Sequence, residues 1–148
     1  MNIYFICTGN TCRSPMAEAI LRSKELGNVT VRSAGIHAQE GRPISLHAKT
    51  LIEEAAMPHT PQSRAVSSED LEWADIVLTM TEAHKMELLY RYPKMQEKTF
   101  TLKSFVEFKS GGDVQDPFGG NLDTYRQTFE ELSNVMDQLE QKLTEGQV

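Results

Sequence analysis

Short β-rich runs alternating with amphipathic helical stretches predict an α/β fold, a parallel sheet with helices on both faces. Three features carry the prediction. Asn2 to Cys7 is a brief apolar run that passes through a Gly-containing loop straight into a helical pattern. Two more β-rich runs, Val29 to Ser33 and Asp75 to Met80, are each followed by helical periodicity. The chain then closes on a long helix whose apolar stripe needs a sheet to cover.

The first strand is Asn2 to Cys7, too short and too apolar for a surface helix. Ser14 is expected as N-cap and Pro15 as N1 of a helix carrying Met16, Ala17, Ile20 and Leu21 on one face and stopping at Gly27. Val29 to Ser33 alternates at period two and reads as the second strand, with a flexible segment from Ala34 to Pro43. Ile44, Ala48, Leu51, Ile52, Ala55 and Ala56 form the face of a second helix, which ends before the Pro58 to Pro61 stretch. Ser67 to Leu71 is a short capped helix leading into the third strand, Asp75 to Met80. Thr81 caps a helix expected to carry Met86, Leu89 and Tyr90, and Thr99 to Leu102 is a fourth strand. In the last helix Tyr125, Phe129, Leu132, Val135, Met136, Leu139 and Leu143 recur at three- and four-residue spacing. The elements make one three-layer domain spanning 1–148, with ligands expected at the carboxyl ends of the strands.

Composition narrows the function. With 39% hydrophobic and 24% charged residues, the 148-residue chain falls in the ordinary soluble range for one domain. No apolar run approaches the ~20 residues of a membrane helix, and Met1 leads directly into Ile3-Tyr4-Phe5-Ile6 without a signal-like segment, so a cytoplasmic location is expected. A net charge of −6 disfavours a nucleic-acid surface, so any anion site must be local. The two cysteines, Cys7 and Cys12, share one loop and are too few for a disulfide framework. His37, His47 and His84 lack metal spacing and read as surface residues; neither a metal nor a cofactor is expected.

Cys7-Thr8-Gly9-Asn10-Thr11-Cys12-Arg13-Ser14 places a thiol at a strand end and an arginine just before a helix N-terminus. Gly9 permits positive φ and Asn10 tolerates it, so the loop can curl its backbone N–H groups into one concavity for an anion. The helix end adds unpaired N–H groups and a positive dipole, and Arg13 a planar fork for two oxygens. The same field is expected to lower the pKa of Cys7 below the usual ~8.5 and to make it a nucleophile prone to oxidation. Ala17, three residues after Ser14, cannot complete a capping box, which leaves the Ser14 hydroxyl for the thiolate.

This loop resembles the phosphate loop of the low-molecular-weight protein tyrosine phosphatase family. Arg32-Ser33-Ala34-Gly35 and Asp116-Pro117-Phe118-Gly119-Gly120 are similar to two further segments of that family, so the resemblance spans nearly the whole chain. It implies a four-stranded parallel sheet flanked by helices. It also implies a phosphocysteine on Cys7, phosphoryl oxygens on Arg13, and Asp116 as general acid and then base. Thr8, Gly9, Asn10, Thr11, Cys12, Ser14 and Phe118 would line the substrate site, with Ser33 bracing Asn10. The family often braces the same Asn with a His; His59 is the nearest candidate, although His59 to Arg64 does not align cleanly with that pattern.

Thr11 decides the substrate reading. Tyrosine phosphatases of the family usually carry Ile or Leu there, whereas Thr resembles the bacterial protein-arginine phosphatase branch. A hydroxyl suits a polar guanidinium, Asp116 can attract its charge and Phe118 can stack on its plane. Phosphoarginine proteins are therefore the expected substrates, with phosphotyrosine proteins as the alternative. A thioredoxin-coupled arsenate reductase would need further cysteines, and none follows Cys12. A phosphocarrier would preserve the phosphocysteine that Asp116 is placed to destroy, and a non-catalytic phosphate-binding module would release no phosphate at all.

Overall fold

A computed structural model describes residues 1–59, 62–108 and 112–146. Four parallel strands form one sheet in the order β2-β1-β3-β4: β1 (Asn2–Cys7), β2 (Thr30–Gly35), β3 (Ile76–Thr79) and β4 (Thr99–Thr101). Helices α1 (Arg13–Ser23), α2 (Leu46–Glu54), α3 (Ser68–Trp73), α4 (Glu82–Arg91), α5 (Leu102–Phe105) and α6 (Leu122–Thr144) connect and cover it.

The alternation in β1 divides the interior. Ile3, Phe5 and Cys7 point into a core filled from α1, α2 and α6, including Met16, Leu51, Leu132 and Leu139. Tyr4 and Ile6 point the other way, onto Leu71 and Leu88. A strand buried on both faces must be apolar throughout, which is why Ile3 to Ile6 reads as a continuous run. Ser45, Ser67, Thr81 and Asn121 each accept a backbone N–H in the first turn of α2, α3, α4 and α6, a contact typically contributing ~1 kcal/mol.

Several boundaries differ from expectation. Helix α1 begins at Arg13, so Ser14 lies inside the first turn and its hydroxyl caps nothing; the helix ends at Ser23, before a left-handed Glu25. Strand β2 extends to Gly35, two residues into the segment expected to be flexible. Ala55 and Ala56 fall beyond α2 and are exposed. In α4 the expected stripe is on the wrong side: Met86 is 66% and Tyr90 89% exposed, while His84 and Leu88 face inward. Both pairs obey i, i+4 spacing, and tertiary packing selected the pair containing the histidine. The short α5 and the 3-10 turn Pro93–Lys98 carry too few residues for a periodic signal. Of the Pro58 to Pro61 stretch, Thr60 and Pro61 lie outside the described residues.

Candidate functional site

Parallel pairing brings the ends of β1 and β2 level, Cys7 opposite Gly35, and the loop from Cys7 to Ser14 arches over that edge. Gly35 is there because nothing larger fits: a Cβ would lie 2.5 Å from the Thr8 carbonyl oxygen and 2.7 Å from the Asn10 nitrogen. The left-handed residue of the loop is Asn10 at φ 54°, a conformation Gly9 does not share. Three fixed contacts hold Asn10: Ser63 Oγ donates to its carbonyl at 2.7 Å, Arg64 N–H donates to its Oδ1 at 2.8 Å, and its Nδ2 donates to Ser33 Oγ at 3.0 Å. Among the described residues no histidine bonds Asn10, and Ser33, Ser63 and the Arg64 backbone supply the bracing considered for His59.

These contacts orient the Asn10 amide and, through it, the bonds that lead to Cys7. Because Oδ1 accepts from Arg64, both protons of Nδ2 are available, one for Ser33 and one for Ser14 Oγ at 2.7 Å. Ser33 passes its own proton to Glu18 Oε1, and Arg22 approaches Glu18 Oε2 at 2.9 Å. The Ser14 hydroxyl lies 2.8 Å from Cys7 Sγ and can donate to it once the sulfur is a thiolate, and Asn10 N–H donates to the same sulfur at 3.2 Å. Burial nevertheless pushes the Cys7 thiol up from its ordinary value, against the pull of Ser14, Arg13 and Asn10. That corrects the expected net lowering, which counted the donors and not the cost of desolvating a 3% exposed sulfur.

Arg13 is 4% exposed and its fork is aimed by three groups. Nη1 donates to the Val114 carbonyl at 3.1 Å, Nη2 donates to Thr8 Oγ1 at 3.4 Å, and Asp116 Oδ2 lies 3.5 Å from Nη2. Asp116 is held by its own turn: Phe118 N–H donates to Oδ1 at 3.0 Å, Gly120 N–H to the Pro117 carbonyl at 2.8 Å, and Gly119 takes φ 83°. A cleft of about 440 Å³ opens above the sulfur, lined by Thr11 and Arg13 from the loop, Asp116 and Phe118 from this turn, and Arg42 and Ser45 on the approach to α2. The structure thus brings together Cys7, Thr8, Gly9, Thr11, Cys12, Arg13, Asp116 and Phe118 around one cleft, with Asn10, Ser14 and Ser33 beneath it. A sulfur nucleophile, a guanidinium fork and a half-exposed carboxylate around one such space are the elements of phosphoryl transfer. Among the described residues no group of three or more His, Cys, Asp or Glu could hold a metal ion, and no helix is long and apolar enough to cross a membrane.

Sequence reasoning missed several supports. Glu18 was visible as a charge inside an apolar helical stretch, and a buried charge must have partners. Tyr125 was read only as core, yet its hydroxyl meets Cys12 Sγ at 3.2 Å. His84, expected at the surface, is 8% exposed, and its Nε2 lies 2.7 Å from Thr8 Oγ1. Burial and the nearby Arg13 push His84 down to about 4. Its folded value lies below the unfolded 6.5, so the stability that neutral His84 supports is complete above pH 6.5 and lost as pH falls through about 4. The loss is on the order of 2 kcal/mol after allowance for solvent screening. Urea midpoints at pH 7 and pH 4.5 should show a smaller acid loss for His84→Gln than for wild type; equal losses would contradict this.

Residues 2–148 match the family described as low molecular weight phosphotyrosine protein phosphatase. The chain belongs to that family. Among its relatives, a protein-arginine-phosphatase of Geobacillus stearothermophilus is 46% identical over 141 residues, covering 95% of each chain. A low molecular weight protein-tyrosine-phosphatase PtpB of Staphylococcus haemolyticus is 41% identical, covering 94% of this chain and 97% of the relative. A solved structure of the YwlE arginine phosphatase, with its active-site cysteine replaced by a phosphorylated serine, superposes with a TM-score of 0.92 at 43% identity, covering 97% of this chain and 96% of that one. Family members are thus named for two different substrates, and overall identity separates them by only a few per cent.

Proposed function

We propose that this protein hydrolyses phosphoarginine in proteins through a phosphocysteine on Cys7. The observation that carries the reading is the side chain of Thr11 on the cleft wall, on the loop that carries Cys7, with Asp116 facing the same space. A leaving group there meets a hydroxyl and a carboxylate, which suit a guanidinium better than a phenyl ring. The relatives named as arginine phosphatases, and the phosphorylated serine at the cysteine position in one of them, support it.

In the first half-reaction Cys7 Sγ attacks phosphorus, the P–N bond breaks, and the Asp116 carboxyl gives its proton to the departing nitrogen. Ser14 and Asn10 stabilise the attacking thiolate, offsetting part of its burial. Arg13 and the loop N–H groups hold the phosphoryl oxygens as charge moves onto them. In the second half-reaction Asp116 takes a proton from water, the water oxygen attacks phosphorus, and the P–S bond breaks to free phosphate and the thiolate. A reactive thiol needs a reducing compartment, so we place the enzyme in the cytoplasm.

The second reading, a tyrosine phosphatase, draws on Phe118, 77% exposed at the cleft and able to stack on a phenyl ring. Thr11→Ile separates the two. Ile keeps the β-branch, replaces the hydroxyl by a methyl and adds one methylene, a change of ~1–3 kcal/mol in pocket discrimination, or roughly 10–200-fold. The ratio of kcat/KM for matched phosphoarginine and phosphotyrosine peptides should shift towards phosphotyrosine by that order. Equal loss of both activities would remove Thr11 as the selector.

Cys12 adds a redox expectation. Peroxide should oxidise Cys7 to a sulfenic acid through the fraction of thiolate that Ser14, Arg13 and Asn10 sustain against burial, and the Cys12 thiol, giving up its Tyr125 contact, should displace the hydroxyl as water to form a disulfide. Peptide mapping of peroxide-treated protein should find the Cys7–Cys12 link, and thiol reductant should restore activity. Irreversible loss without that link would leave Cys12 a packing residue.

A further inference from the structure

We propose that His84 is a positioning residue that holds the Thr8 hydroxyl, and through it the Arg13 guanidinium, in the arrangement that meets the phosphoryl group. The inference rests on the reading of Arg13 given above, and three observations carry it. His84 Nε2 lies 2.7 Å from Thr8 Oγ1, and Arg13 Nη2 donates to the same oxygen at 3.4 Å. His84 is 8% exposed and is absent from the lining of the cleft, so it reaches no substrate and acts only through its neighbours. Its backbone is fixed as well, because His84 N–H donates at 3.1 Å to Thr81 Oγ1, the cap of α4.

Thr8 is the residue next to Cys7, and it is exposed. A threonine hydroxyl in that position has several rotamers open to it, and only one turns its lone pair to Arg13. An arginine can only donate, so Thr8 Oγ1 must accept from it and send its own proton elsewhere. Neutral His84 bonds the same oxygen through Nε2, accepting its proton in one tautomer or donating to its second lone pair in the other, and either bond fixes the hydroxyl. The contacts therefore link Arg13 through Thr8 to His84, and the histidine sets the rotamer of the hydroxyl that Arg13 meets. The other Arg13 nitrogen is anchored on the Val114 carbonyl, at the opposite side of the fork. Arg13 is thus held at two points, one on the segment leading to Asp116 and one on α4 through Thr8, and the fork cannot pivot without breaking one of them. Nothing in the sequence marks this role, because His84 and Thr8 lie 76 residues apart.

The test is a double-mutant cycle on Thr8→Val and His84→Leu, with para-nitrophenyl phosphate as substrate so that leaving-group preference does not enter. His84→Leu should lower kcat by roughly 10- to 100-fold with little change in KM, as expected when a buried hydrogen-bond partner is removed. The Ki for vanadate, which mimics the five-coordinate transition state, should rise by a similar factor, and the Ki for inorganic phosphate should rise less than about threefold. The double variant should be no worse than Thr8→Val within about threefold, since the two side chains act as one unit. His84→Gln, whose amide can accept from or donate to the Thr8 hydroxyl, should recover most of the loss. If His84→Leu does not fold, Thr8→Val carries the comparison, with vanadate expected to weaken more than phosphate, and His84→Gln is expected to stay near wild type on both. Additive losses in the cycle, or equal weakening of vanadate and phosphate, would overturn the proposal. Cys7→Ser is the control: residual turnover in that variant would overturn the covalent reading itself, whereas its inactivity beside an additive cycle would overturn only the role of His84.

Discussion

Cys7→Ser should abolish turnover, by roughly 10⁴-fold or more, while inorganic phosphate still binds. The two halves of this result come from different parts of the site. In the proposed function phosphate rests on Arg13, anchored on Val114 and Thr8, and on the loop that Asn10, Ser63 and Gly35 keep curled; of these groups only Asn10 also bonds the sulfur, through an N–H that a serine oxygen can accept in its place. Attack on phosphorus does use it, and a hydroxyl at position 7 remains protonated at neutral pH. Kinetics with an aryl phosphate and titration of phosphate binding check both halves. Substantial turnover in the variant would refute the covalent mechanism, and loss of phosphate binding would show that the sulfur shapes the cradle.

Arg13→Lys should cost about 10²–10³-fold in kcat/KM although the charge is retained. The guanidinium presents a planar fork, and the structure uses its geometry: Nη1 goes to the Val114 carbonyl while Nη2 lies within 3.5 Å of both Thr8 and Asp116. A lysine brings one compact ammonium on a flexible stem and cannot serve the carbonyl and two phosphoryl oxygens together. The site is also buried, so an ammonium there loses hydration that its fewer contacts do not replace. The loss should fall mainly on kcat, because charge accumulates on the phosphoryl oxygens in the transition state. A variant within about threefold of wild type would mean that charge alone suffices.

How much of this was legible in the sequence varies with the range of the interactions. Strand β1, the loop and helix α1 occupy one continuous stretch, and their local chemistry points one way: an apolar strand, an Asn that tolerates positive φ, and a helix expected from Pro15 that in fact begins two residues earlier, at Arg13. The four parallel strands followed from alternation, and the apolar stripe of α6 was read almost residue for residue because 23 residues allow many turns of periodicity. What escaped depends on partners distant in the chain. The inward face of α4 could not be chosen between two stripes of equal spacing, and the packed face is the one that buries Leu88 against Tyr4 and Ile6 and brings His84 to Thr8, contacts that only the fold supplies. Gly35 looked like a flexible residue, and its function is close approach to the Thr8 carbonyl. Cys7 shows a further limit: the donors around it can be listed from the motif, but the desolvation that opposes them is a property of the packed site.

The most direct measurement is kcat/KM of the wild-type protein on one peptide sequence carrying phosphoarginine, phosphotyrosine or phosphoserine in turn. With Thr11 and Asp116 at the cleft and Phe118 beside them, the order should be phosphoarginine first, phosphotyrosine well below it, and phosphoserine scarcely cleaved, since a short aliphatic leaving group cannot bring phosphorus down to Cys7 and still reach those three residues. A preference for phosphotyrosine over phosphoarginine, or no release of phosphate from phosphoarginine, would contradict the proposed function.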